Sequence, residues 1–187
     1  MPASSADRGP AHPAPDSAAI AQAGTELAVE LYERYHEDVF TYLCGLVHER
    51  QWAQDLAQET FLRVLRARAR LPQVNNPRAW LYRVATNVAL NALKRHRRFA
   101  WLPWRASDRG QGSAPDVAEQ VGQRSALNAA LASLPPGYRA PLLLYAQYGL
   151  SVAEVAQALA LSEAAARKRI YRATEMLRQA CGKGDVP

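Results

Sequence analysis

The sequence predicts an all-α protein: two small helical domains joined by a flexible linker, the second a helix-turn-helix. Three observations lead there. In several segments apolar residues recur at steps of three and four, as on one face of a helix. No segment alternates at period two in the manner of a half-buried strand. A stretch containing proline and glycine, with little periodicity, divides the chain past its middle. The 187 residues suffice for one ordinary domain or two small ones.

Residues 1–24 are expected to be a disordered tail, because Pro2, Pro10, Pro13 and Pro15 lie among Ala, Ser and Gly without the basic start and apolar centre of a signal peptide. From Thr25, the residues Leu27, Leu31, Tyr35, Val39, Tyr42 and Leu46 share one helical face. A second helix is expected from about Gln51 to Ala69, with Trp52, Leu56, Phe61, Val64 and Leu65 turned inward. It stops before Leu71-Pro72, since proline disfavours helix in the residue before it. Asn76-Pro77 opens a third helix with an N-cap residue and a proline at the first helical position. That helix runs to about Arg98 and closes a first domain over 25–98.

Residues 99–124, with Pro103, Pro115 and three glycines, form the expected linker. In the second domain, 125–180, Leu127, Leu131 and Leu134 mark a short helix, and Tyr138 to Tyr148 mark another ended by Gly149. Pro141 is expected in the first turn there, where its missing N–H costs nothing. Ser151 with Glu154 three residues later is a capping box for a helix to about Leu159, and Ser162 caps a longer one to about Gln179. Residues 181–187 are a terminal tail.

Charge is distributed unevenly. The chain carries +6 and has a pI near 9.6, which points to a polyanionic partner. Thr25 to Glu59 holds eight acids and two bases, a balance of −6. Thr60 to Ser107 holds no acid and eleven bases, +11. No run of about 18 apolar residues occurs, so a membrane span is excluded. Cys44 and Cys181 are far apart, without the spacing of a disulfide framework or a zinc site, and read as free thiols in a reducing compartment. The four histidines lack metal-site spacing. The expectation is a cytoplasmic protein without metal, cofactor or small-molecule substrate.

Three helices carry chemistry. The last two, separated by Ala160 and Leu161, have the lengths of a helix-turn-helix, whose second helix enters the major groove. Arg167, Lys168, Tyr171 and Arg172 form its connected outer surface, while Ala166, Ile170, Ala173 and Leu177 pack behind. Basic groups there meet phosphates and guanine edges. On the third helix, Leu81, Val84, Ala85, Val88 and Ala92 make a core-facing arc, and Arg83, Asn87, Asn91, Lys94 and Arg98 a separate polar arc of roughly 80°. Trp80 sits at the edge of that stripe. Amides read or cradle bases, cations hold the backbone, and an aromatic face stacks on an unpaired base for roughly 1–3 kcal/mol. On the second helix Asp55, Gln58 and Glu59 face outward. Acids there would repel DNA, which leaves a docking surface for a protein or a solvated helix face.

These residues resemble the extracytoplasmic-function (ECF) sigma factors of bacterial RNA polymerase, of the sigma-70 family. Asp55-Leu56-Ala57-Gln58-Glu59-Thr60-Phe61 resembles the family's core-docking helix, and Asn76 to Asn87, Asn-Pro-Arg-Ala-Trp-Leu-Tyr-Arg-Val-Ala-Thr-Asn, its promoter-opening segment. Ser133-Leu134-Pro135, Gly149 to Ala156 and Ile170-Tyr171-Arg172-Ala173 resemble its upstream-element reader. The resemblance implies that 25–98 is region 2 and 125–180 region 4. It implies that Asp55, Gln58, Glu59 and Phe61 dock on the clamp helices of the largest polymerase subunit. Asn87 would line the pocket for a base flipped from the minus-ten element, beside Trp80 and Arg83, with Asn91, Lys94, Arg95 and Arg98 holding nearby strand and phosphates. Arg167, Lys168, Tyr171 and Arg172 would contact the minus-thirty-five element. An anti-sigma factor is implied as a further partner. The Asn76 to Leu81 string also resembles the iron-starvation subgroup, whose members are released by a membrane-bound regulator.

Two departures stand out. The linker, with Trp101 and Trp104, carries little acid, and Ala160 with Ala164-Ala165-Ala166 replaces the family's turn glycine and Gly-Thr-Val. A non-glycine residue in a left-handed turn costs roughly 1 kcal/mol. The rival from another class is a helix-turn-helix repressor or activator that binds duplex DNA alone. A nucleic-acid enzyme is disfavoured because the basic stretch offers no carboxylate for a metal or for acid–base work.

Overall fold

The computed structural model describes the backbone of residues 17–99 and 120–182, and seven α-helices make up almost all of it. Lobe one is α1 (Ser17–Val47), α2 (Arg50–Arg66), a 3-10 turn (Arg68–Gln73) and α3 (Pro77–Phe99). Lobe two is α4 (Gln120–Ser133), α5 (Pro136–Ala146), α6 (Val152–Leu159) and α7 (Glu163–Gly182). Most of the expected linker and the extreme termini lie outside the described residues.

The first helix begins eight residues before the expected start at Thr25, inside the segment read as a tail. Ala18 to Ala23 is mostly alanine, the strongest helix former, so this turn needs no apolar periodicity. Gly24 then lets α1 cross the 3-10 turn, since a Cβ there would lie 1.9 Å from the Arg68 carbonyl oxygen. The inward stripe is as expected: Leu31, Val39, Tyr42 and Leu46 are buried, with Leu27 and Tyr35 packed at the edge. His48 closes α1 in the left-handed region, φ 58°.

Glu49 caps α2 through its carboxylate, which accepts from the Trp52 N–H at 3.1 Å. The helix ends at Arg66, and the 3-10 turn takes up Leu71-Pro72 with Leu71 buried. Asn76 caps α3: its Oδ1 accepts from the Ala79 N–H at 3.0 Å. Ser151 and Glu154 form the full capping box of α6, and the Ser162 hydroxyl accepts from Ala165 N–H at the head of α7. Pro141 departs from expectation, lying mid-helix in α5 and buried. The carbonyl it leaves unbonded is that of Gly137, an exposed residue whose oxygen can turn to water.

The two lobes are not separate bodies. One continuous core includes Tyr42, Leu46 and Tyr82 from lobe one and Leu143, Tyr148, Val155 and Ala158 from lobe two. A smaller cluster, Leu134, Leu142 and Ala173, lies within lobe two. α3 packs against α6, and α1 against α5. Gly45 permits the second contact, because a Cβ there would lie 2.9 Å from Leu143 Cδ1.

Candidate nucleic-acid interface

Three helix neighbours, α1, α2 and α6, surround α3 and leave one arc of it free. Arg83, Asn87, Asn91, Lys94 and Arg98 are exposed on it, with Arg95 exposed beside it on the side of Glu59 of α2, whereas Leu81, Tyr82, Ala85, Thr86, Val88, Ala89 and Ala92 are buried. The exposed arc is the polar stripe the sequence marks. Trp80, at its margin in the helical register, is half-buried and packed against the core. Behind Asn87, the Thr86 hydroxyl donates to the Tyr82 carbonyl at 2.7 Å and shares a 2.7 Å hydrogen bond with the Tyr42 hydroxyl. Both groups are buried, so the bond holds this turn of α3 in register with α1. Burial pushes the Tyr42 phenol well above its usual pKa, against the lowering effect of Thr86. It stays protonated and available as a partner.

On α7, Arg167, Lys168, Tyr171 and Arg172 are exposed, Tyr171 by 66%. Ala166, Ile170 and Ala173 are buried behind them, and Leu177 is half-buried. Ala164, Arg167, Lys168 and Tyr171 line a shallow concavity. The turn that sets this helix keeps the expected strain: Ala160 has φ 52° and ψ 48°. Its N–H bonds back to Ala156 and Gln157, the Leu161 N–H reaches the Ala156 carbonyl at 2.9 Å, and the Leu161 side chain packs on the core. These bonds satisfy the end of α6 without glycine.

The second helix presents a different surface. Asp55 and Gln58 are exposed, and the Glu59 carboxylate accepts from Arg63 Nε at 2.7 Å, which together with nearby Arg66 and Arg95 holds it below the usual carboxylate range. Gln58 and half-buried Phe61 line a groove of about 330 Å³ shared with Tyr32, His36 and Phe40 of α1. Tyr32 stacks on His36 at 5.1 Å and meets Phe61 edge-on at 5.0 Å. Sequence reasoning missed these α1 residues. Their signal was the four-residue spacing 32, 36, 40, a second ladder beside the core stripe. Leu65 also differs, being 43% exposed rather than inward. The buried face of α2 runs through Ala53, Leu56, Thr60 and Val64, which puts Leu65 about 100° away. Thr60 can occupy a core position because its hydroxyl donates to the Leu56 carbonyl at 2.7 Å.

Residues 31–99 match the family described as Sigma-70 region 2, and residues 124–177 the family described as Sigma-70, region 4. CarQ, an RNA polymerase sigma factor of Myxococcus xanthus, is 32% identical over 82% of this chain and 88% of its own. SigX, an ECF RNA polymerase sigma factor of Bacillus subtilis, is 30% identical over 80% of each. The chain is an ECF sigma factor of the sigma-70 family. As such it binds RNA polymerase and acts in transcription initiation, and it is not an enzyme. Among solved structures, the sigma factor RpoE of Bartonella quintana, in complex with the anti-sigma factor NepR, shares the fold with a TM-score of 0.63 at 20% identity, over 87% of this chain and 99% of RpoE. CnrH, in complex with the cytosolic domain of CnrY, gives 0.61 at 25% identity over 91% of this chain and 96% of CnrH. Among the described residues of this ECF sigma factor no helix is long and apolar enough to cross a membrane, and no three His, Cys, Asp or Glu side chains converge as metal ligands would.

Proposed function

We propose that this sigma factor works in the cytoplasm as a dissociable specificity subunit that docks on polymerase through α2 and reads two promoter elements with α3 and α7. Asp55, Gln58, Glu59 and Phe61, with the neighbouring Tyr32–His36–Phe40 ladder, face the clamp helices of the largest polymerase subunit. Asn87, flanked by Trp80 and Arg83, takes a base flipped from the minus-ten element. Flipping costs a few kcal/mol, offset by stacking and pocket contacts. Asn91, Lys94, Arg95 and Arg98 hold the adjoining strand, and Arg167, Lys168, Tyr171 and Arg172 enter the major groove at the minus-thirty-five element. An anti-sigma factor holds the chain in reserve. CnrH, whose partner is named by its cytosolic domain, supports a membrane-bound regulator of that kind, as does the Asn76 to Leu81 string.

The observation that carries this reading is the coincidence on α3 of the acid-free polar stripe with the one arc that its helix neighbours leave open. Run-off transcription with core polymerase tests it. Promoter-dependent transcript is expected only when the chain is added. Tight duplex binding by the chain alone, with no transcript, would instead establish the rival repressor.

A further inference from the structure

Three alanines open α7, and they do different things. At about 100° per residue they fall on three sides of the helix. Ala166 is buried and Ala165 half-buried, whereas Ala164 is exposed. It stands three, four and seven residues before Arg167, Lys168 and Tyr171, which places all four on one face. They line the concavity on that face, and Ala164 is the shortest side chain among them. The reading face of α7 is long-chained and polar except at its head, where it offers a single methyl group beside two cations and a phenol.

The head is also poorly suited to a phosphate. A helix N-terminus ordinarily attracts one through its free N–H groups and positive end. Here the Ser162 hydroxyl already accepts from the Ala165 N–H at 3.2 Å. Glu163 adds an exposed carboxylate in the first turn. An acid beside the notch repels the DNA backbone, which leaves base edges as the surface for the notch to meet. In a helix-turn-helix it is the N-terminal residues of the second helix that reach those edges.

What fits a methyl notch in the major groove follows from the chemistry of the groove. The base pairs present donors and acceptors there, and the one apolar group among them is the C5-methyl of thymine. The flanking cations suit guanine, whose O6 and N7 accept from arginine or lysine. Spacing links the two contacts. Three or four residues rise about 4.5–6 Å along α7, against about 3.4 Å per base pair, so the guanine lies one or two base pairs from the thymine.

We propose that Ala164 is a specificity-determining residue of this sigma factor: its methyl group packs on the C5-methyl of a thymine in the upstream element, one or two base pairs from a guanine held by Arg167 or Lys168. The proposal rests on the reading of α7 as the minus-thirty-five helix. It gives the alanine run a part in promoter choice through its exposed member alone.

The test uses holoenzyme, the full chain with core polymerase, on promoter fragments randomised across the upstream element. Selection by binding is expected to enrich a thymine, on either strand, with a guanine one or two base pairs away. In the selected promoter that thymine is then replaced by deoxyuridine, which removes the C5-methyl and nothing else. Wild-type holoenzyme should bind the thymine duplex about fourfold more tightly, the effect of burying one methyl group. In Ala164→Gly, which removes the facing methyl, the thymine-to-deoxyuridine affinity ratio should fall to about 1–1.5. Ala164→Ser, which sets a hydroxyl against the thymine methyl, should lower it likewise. The ratio is taken within each protein, so a reduced folded fraction in a variant cancels. A wild-type ratio near unity, a ratio unchanged in both variants, or a selected element without thymine at that spacing would overturn the proposal while leaving α7 as the reader. Holoenzyme that selects no upstream sequence at all would remove the reading of α7, and the proposal with it.

Discussion

Arg139 is the buried charged residue among those described. It is 4% exposed, and its guanidinium donates to three carbonyls: Leu46 at 2.9 Å, Ala132 at 2.6 Å and Leu134 at 2.6 Å. Leu46 lies in the last turn of α1 and Ala132 in the last turn of α4, so the cation sits at the negative ends of two helices, and no carboxylate pairs with it among the described residues. Burial lowers its pKa, yet an arginine remains charged. Arg139→Ala strands three carbonyls, two of them at helix ends. One orphaned buried acceptor costs about 1–3 kcal/mol, and two of the three, the carbonyls of Leu46 and Leu134, lie on buried residues. We therefore expect Arg139→Ala to lose about 3–5 kcal/mol. In urea unfolding followed by far-ultraviolet dichroism, with a slope near 2 kcal/mol/M, the midpoint should fall by about 1.5–2.5 M. Arg139→Met separates causes: it keeps apolar volume but offers no donor, and should cost nearly as much as alanine. Arg139→Lys keeps the charge but not the fork, and should lose about 1–3 kcal/mol. A methionine variant within about 0.5 kcal/mol of wild type would refute the argument, because packing rather than carbonyl satisfaction would then hold the site.

Three further outcomes follow from the reading surfaces. Asn87→Ala should leave polymerase affinity unchanged and weaken open-complex formation in a permanganate footprint, while Asp55→Lys with Glu59→Lys should do the reverse; equal loss at both steps would count against the division of labour between α2 and α3. Arg172→Ala should cost roughly 1–3 kcal/mol at the upstream element with relaxed base preference if it meets a base edge, or a uniform loss with a shallower salt slope if it meets phosphate, as a salt series of filter-binding curves would show. Ala160→Gly should relieve left-handed strain of roughly 1–2 kcal/mol against an entropy cost of about 0.5–1, a net gain of up to about 1.5 kcal/mol that moves the melting temperature up by as much as about 6 °C; a drop would mean the turn is not strained.

How much of this was legible depends on what each signal is made of. The stripe on α3 was legible because exposure there follows the 3.6-residue period, and Arg83, Asn87, Asn91 and Lys94 are polar at every step. The caps were legible because Asn76-Pro77 and Ser151 with Glu154 are local chemistry. The start of α1 was not, because alanines promote helix without marking a face. Leu65 was misread because a threonine, Thr60, holds the core position that apolar periodicity assigns to larger residues.

The closure of the lobes was illegible for a deeper reason. Periodicity says that Tyr42, Leu143 and Val155 point inward but not into which interior, and every one of them looks like the ordinary core of its own lobe. What distinguishes a shared core is specific pairing across it, and that pairing uses groups with local explanations already. Asn76 is accounted for as a cap and Glu154 as a capping-box acid before either touches the other. Their second hydrogen-bonding atoms, the amide donor of one and the spare carboxylate oxygen of the other, form the link between lobes. A capping residue has more hydrogen-bonding capacity than its cap consumes, and in a chain of short helices that surplus is where contacts between domains can hide.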